Sequence, residues 1–253
     1  MINKTEYDEK VEEYINKISL NLFSSISSLA LYNALGISIQ ELNDKSFGRF
    51  AFAIQKAMVN EVILSLTKIF EDRSGINISK LFRCINSNQR NINMCNPGIK
   101  ALEKYKLFDF KDIEVYSKEV EDDSLGKYTY KAFTLSSFLK CIEKSYEVML
   151  KEYNEDIRAL KESRDKSIAH TDRQEIMNRT TWGKVEELIA WLEEYIDMMA
   201  TVFTCSSHSS DGKQAYDSSR KDAQRASYSL LRLLEKANII DDKSKYFDKV
   251  KKS

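Results

Sequence analysis

A single proline, Pro97, stands in 253 residues, and only seven glycines accompany it. These are the residues that most often stop helices and shape tight turns, so long helical runs meet little to interrupt them. The apolar residues recur accordingly. Tyr14, Ile18, Leu22, Ile26 and Leu29 follow three- and four-residue steps and predict a first helix over about 6–35. A second, over about 46–71, is apolar on more than one face and is expected to be central. RSGIN makes a turn after it, and Ser79 is placed to cap a short helix over 79–87.

Residues 87–134 carry no clear period. SNQRNINMCNPG reads as a loop with a Pro97-Gly98 turn, and EVEDDSLGKYTYKAF reads as a loop, a short hairpin, or both. Thr134 then opens a long helix whose stripe is Leu139, Ile142, Tyr146, Met149, Tyr153, Ile157 and Leu160. The next stripe position is Arg164, which places an arginine at the margin of the core or against another chain. Thr180 or Thr181 caps a further helix with the stripe Trp182, Val185, Ile189, Leu192, Ile196, Met199 and Phe203. SSHSSDGK at 206–213 is a linker or polar loop. A last helix over about 214–237 buries Tyr216, Tyr228, Leu231 and Leu234, and the lysine-rich tail after 241 is expected to fray. The fold class is all-α, a bundle of about five or six helices with an unassigned insertion near 87–134.

Lys and Arg total 39, Asp and Glu 39, so the net charge is zero. That argues against a constitutive nucleic-acid coat and leaves room for a local basic site. Cys84, Cys95, Cys141 and Cys205 lie far apart without a C-x-x-C, so neither a zinc site nor a disulfide framework is expected, and buried, reduced thiols fit best. The uncharged run at 18–40 is long enough to span a bilayer, but its Ser and Asn residues make that costly. A core helix in a cytoplasmic protein with no membrane partner is the expectation, and the acidic start MINKTEYDEK is no signal peptide.

The chemistry-bearing stretch is SRDKSIAHTDR, 163–173, which holds Arg164, Asp165 and one of two histidines, His170. With 11 arginines and two histidines, the spacing alone is unremarkable. Chance supplies it in roughly a quarter of such chains, and in about 4% when Asn, Asp or His must follow the arginine. Six residues on an ideal helix leave Arg164 and His170 about 120° apart with a rise of roughly 9 Å. One undistorted helix does not aim both at one phosphate: either it ends before Ala169, or two copies hold the phosphate between them. A simpler reading has a helix-terminal histidine favoured by the macrodipole, and Asp172 paired with Arg173.

RDKSIAHTDR, together with AIQKAMVNEVILSLTKIFEDRSGINISKL at 53–81, resembles the HEPN superfamily (higher eukaryotes and prokaryotes nucleotide-binding). The resemblance is to the branch named after abortive-infection protein U of phage resistance, and it covers roughly 20–205. It implies a HEPN-like helical domain over 1–206, followed by a polar linker, C-terminal helix and basic tail over 207–253. It also implies a metal-independent endoribonuclease without cofactor, acting in phage defence or as a toxin. Arg164, Asp165 and His170 are its catalytic set, with Arg164 and His170 contributed from both subunits of a homodimer. Lys166 and Arg173 are candidate RNA-backbone contacts by proximity. An antitoxin or other regulatory partner is expected to restrain such an enzyme.

The chemistry is coherent. An imidazole near its ordinary pKa exchanges protons at neutral pH, and a guanidinium forks onto two phosphate oxygens. The alternative is a non-catalytic HEPN-type module that uses the same face to hold a nucleotide or a partner protein. A membrane-associated bundle ranks below both. His208 reads as a solvated loop histidine, and Trp182 and Trp191 as core. Tyr128 and Tyr130, between Lys127 and Lys131, read as an exposed turn or edge rather than a base-stacking platform.

Overall fold

The computed structural model describes residues 4–106, 108–122, 126–165, 180–204 and 215–246. Its helices are α1 (Glu6–Ile37), α2 (Ile39–Asp44), α3 (Gly48–Phe70), α4 (Ile78–Ser87), α5 (Leu135–Glu152), α6 (Asn154–Ser163), α7 (Trp182–Phe203) and α8 (Ala215–Lys236). Strands β1 (Val115–Asp122) and β2 (Gly126–Phe133) interrupt them. The protein is predominantly helical, as its sequence periodicity predicts. It divides into two compact units, interleaved along the chain. One comprises Met1–Ser19, Phe70–Arg158 and Arg179–His208; the other comprises Leu20–Ile69, Ala159–Asn178 and Ser209–Ser253.

The first unit begins with a reciprocal cap. Thr5 N donates to Asp8 Oδ2 at 2.7 Å, and Asp8 N donates to Thr5 Oγ1 at 3.1 Å, satisfying two orphan donors at the start of α1. The same Asp8 accepts from Asn93 N at 2.8 Å, which ties the helix start to the loop after α4. Helix α4 is capped by Asn77, not by Ser79. The Asn77 side chain accepts from Lys80 N at 2.8 Å while its amide donates to Glu71 O at 2.7 Å, a double role that a serine hydroxyl at 79 does not match.

The insertion contains an antiparallel hairpin, with Val115 opposite Phe133 and Asp122 opposite Gly126. Asn96 anchors it: its amide donates to Phe133 O at 2.6 Å and its Oδ1 accepts from Phe133 N at 3.2 Å, so one side chain stands in for a neighbouring strand. Gly98 has φ 87°, and a Cβ there would lie 2.9 Å from the Tyr130 ring, so the turn requires glycine. Tyr128 lies exposed on β2, at an edge, as its sequence context predicts.

Thr134 caps α5 through Ser137 N, and the stripe from Leu139 through Leu160 is buried as expected. The single long helix expected there breaks at Tyr153, whose φ of −101° and ψ of 15° depart from the helix. Tyr153 N still donates to Met149 O and Ile157 N to Tyr153 O, both at 2.9 Å, so the stripe crosses the break. Thr181 caps α7. Around Tyr195 of α7 an aromatic cluster forms the core: Trp191 stacks at 4.9 Å, with Tyr146 at 6.1 Å and Phe82 and Phe108 at 6.2 Å. Trp191 is buried as expected, whereas Trp182 is only half-buried at the helix start.

In the second unit, Leu231 and Leu234 of α8 pack with Leu35, Leu42 and Ala51. Asn238, at φ 56°, ends α8 in a left-handed cap, with Asn238 N bonded to Glu235 O and Ile239 N to Leu234 O, both at 2.9 Å. The chain does not fray at 241. Ile239, Ile240 and Tyr246 join the same core, and the Tyr246 hydroxyl donates to Glu41. Helices α1 and α3 each carry an 18-residue window of mean hydropathy 1.2, long and apolar enough to cross a membrane. In α1, Ile15, Ile18 and Leu22 are nonetheless fully buried in the protein.

One cysteine departs from expectation. Cys84 is a half-buried free thiol and Cys141 a buried one, but Cys95 is joined in a disulfide. Its N–H donates to Val202 O at 2.9 Å near the end of α7. The fourth cysteine, Cys205, lies outside the described residues.

Candidate active site at the end of α6

Helix α6 opens with Glu155 and Asp156 in its first turn, where carboxylates suit the positive end of the helix dipole. Ile157, Ala159 and Leu160 bury its apolar face. The regular α-helix ends at Ser163, and the backbone widens into a π turn at Arg164 and Asp165. Such turns re-aim side chains that an α-helix would hold in register, and they recur at functional positions.

Arg164 sits where the stripe predicts, at the margin of the core, with its side chain 20% exposed against 60% for Asp165. Its Nε and Nη2 donate to the same Asp165 oxygen at 2.8 and 2.7 Å. Two donors on one acceptor fix the plane of the guanidinium. The regular α-helix stops at Ser163, six residues before Ala169. Lys166, His170 and Arg173 lie outside the described residues, as does His208.

Residues 8–226 match the AbiU2 family of HEPN proteins. The chain belongs to that family. No curated protein and no solved structure matches it. The span of the match covers both of the sequence segments that carry the resemblance, the end of α6 and the stretch from α3 through α4.

A second polar constellation, within the first unit, escapes a reading by motif. Asp197 of α7 is completely buried and accepts through one oxygen from the Tyr105 hydroxyl at 2.7 Å and from Lys104 Nζ at 3.1 Å. Tyr105 also meets Thr201 Oγ1 at 2.9 Å. Burial, followed by the Asp197 carboxylate, pushes the Tyr105 phenol well above its ordinary range, so it remains a donor. The other Asp197 oxygen is buried without a hydrogen bond. The available signal was an aspartate among the apolar residues of YIDMMATVF, but its partners lie in the unreadable insertion. Among the described residues no group of three or more metal-ligating side chains converges.

Proposed function

We propose that this AbiU2-family protein is an endoribonuclease of phage defence that cuts RNA by transesterification without a metal, with Arg164, Asp165 and His170 as its catalytic set. The observation that carries the reading is the arrangement at Arg164: a fork on the core margin, locked by Asp165 at a π turn, in a chain of HEPN family.

In the reaction, imidazole removes the proton from a ribose 2′-hydroxyl as that oxygen bonds to phosphorus. The bond from phosphorus to the 5′-oxygen breaks, and an imidazolium returns a proton to the departing 5′-oxygen. The products are a 2′,3′-cyclic phosphate and a 5′-hydroxyl. Arg164 binds the charge that gathers on the non-bridging oxygens, where one well-placed donor is worth roughly 10²–10³ in rate. Asp165 orients Arg164 and exchanges no proton. His170 supplies the imidazole, and a second copy of the chain supplies the matching pair across a composite cleft. Lys166 and Arg173 hold the RNA backbone, and a partner protein or phage trigger governs access. The cytoplasm is where such an enzyme meets its substrate.

The test is RNA cleavage in excess EDTA by the wild type, Arg164→Ala and His170→Ala. Cutting by the wild type that vanishes in both variants supports the reading. Cutting that is equal in all three, or that needs a metal, opposes it and favours a HEPN module that binds a nucleotide or a partner without reaction.

A further inference from the structure

Between α2 and α3 lies a cleft that the catalytic set does not use. Asn43, Ser46, Gly48, Arg49 and Phe52 line an open cavity of about 520 Å³, within the range of small-molecule sites. The turn that shapes it is tight. Ser46 adopts φ 64°, Ser46 N donates to Asn43 O at 3.0 Å, and Phe47 N reaches back to Leu42 O at 2.7 Å. A Cβ on Gly48 would lie 2.0 Å from Asn43 Oδ1, so the Asn43 carboxamide occupies the space over the Gly48 backbone.

The charge around this cleft is one-sided. From Lys45 to Asn60 the sequence has no Asp or Glu, although 39 acids are distributed over the chain, and it has Lys45, Arg49 and Lys56. Asp44, just before the run, is engaged by Gln40 at 3.1 Å. Arg49, Phe52 and Lys56 stand at i, i+3 and i+7, one stripe of α3 covering roughly 10 Å. Phe52 is 68% exposed, and Lys56 is exposed one turn beyond it. A ring left in water between two cations, on a stripe of α3 that holds no acid, matches what single-stranded nucleic acid offers: a base face flanked by phosphates. A second copy of the chain is a poorer complement, because a two-fold contact would set these cations against themselves.

We propose that the cleft binds one nucleotide of a single-stranded RNA. The base stacks on Phe52, the Asn43 carboxamide meets the base edge, and Arg49 and Lys56 take the adjoining phosphates. The choice of RNA rests on the ribonuclease reading; the cleft gives that enzyme a grip on its substrate away from the scissile bond.

The test is fluorescence anisotropy with a labelled, unstructured oligoribonucleotide in EDTA, using the full chain with His170→Ala so that the probe survives. Adding Phe52→Ala or Arg49→Ala is expected to weaken binding about tenfold each, with Phe52→Tyr close to the parent. Gly48→Ala, which evicts Asn43, weakens binding while leaving the melting temperature equal or higher. Phe50→Ala, exposed but outside the cleft, leaves affinity unchanged. Equal affinities throughout overturn the cleft and leave the ribonuclease reading standing. Weakened binding accompanied by a fall in mass by light scattering overturns it too, and marks the face as an interface between copies. Binding to anionic vesicles in place of RNA overturns it as well. Tight, Phe52-dependent binding by a chain whose wild type cuts nothing would sustain the cleft and remove the ribonuclease.

Discussion

Arg164 donates through both Nε and Nη2 to a single oxygen of its neighbour Asp165, at 2.8 and 2.7 Å. A surface ion pair between adjacent residues contributes little stability, so its consequence is orientation. Asp165→Ala is expected to lower kcat for RNA cleavage by about 10²-fold, as loss of reactant alignment does, with a smaller change in KM. Asp165→Asn, which keeps an acceptor, recovers part of the rate. Wild-type kinetics in both variants would reduce the pair to a solvated contact.

Two buried phenols of the first unit predict opposite outcomes. Tyr195 Oη is buried without a hydrogen-bond partner, whereas Tyr105 donates to Asp197. Tyr195→Phe removes an unsatisfied polar atom and is expected to be neutral or stabilising in urea melts. Tyr105→Phe strips a donor from a buried carboxylate and is expected to cost about 1–3 kcal/mol. Equal losses in the two variants would contradict this assignment of partners.

Asp8 predicts a pH dependence. Burial works against its charged form, but hydrogen bonds from Thr5 and Asn93 outweigh it and hold the carboxyl below its ordinary value of 3.8. A folded value below the unfolded one contributes stability that is fully present above the unfolded value and is lost as pH falls through the folded value. Asp8→Asn should therefore destabilise by about 1–3 kcal/mol at pH 7, and the gap from wild type should close below about pH 4. Parallel stability curves down to acid would oppose the assignment.

The helical stripes were legible because their spacing is set by burial: Leu139, Ile142, Tyr146 and Met149 are all buried at the steps that sequence periodicity demands. Capping residues were legible by type at Thr134 and Thr181, but not at Asn77, where the deciding bond to Glu71 O depends on a fold-specific turn. The hairpin was obscure because β2 buries only Ala132 and Phe133 and leaves the rest of KYTYK without an alternating pattern. The order through Tyr246 was obscure for a related reason, since its anchor, Glu41, lies 205 residues earlier. At the candidate site, Arg164 was legible as a cation on an apolar stripe; the π turn that frees it from helical register carries no sequence signal.

The cysteines offer an independent check on the fold. Burial and the Asp109 carboxylate push the Cys141 thiol up to about 11, so it should resist alkylation in the native protein. After denaturation without reductant, iodoacetamide should label Cys84 and Cys141 and spare Cys95, as read by peptide mass spectrometry. Labelling of Cys95 under those conditions would contradict the disulfide.

The most direct test of the proposed chemistry is the identity of the RNA ends left by the wild-type protein in EDTA. Mass spectrometry of the fragments should find 2′,3′-cyclic phosphates and 5′-hydroxyls, with no cut where the attacking 2′-hydroxyl has been replaced by hydrogen. Fragments with 3′-hydroxyl and 5′-phosphate ends, or equal cutting at the deoxy position, would contradict it.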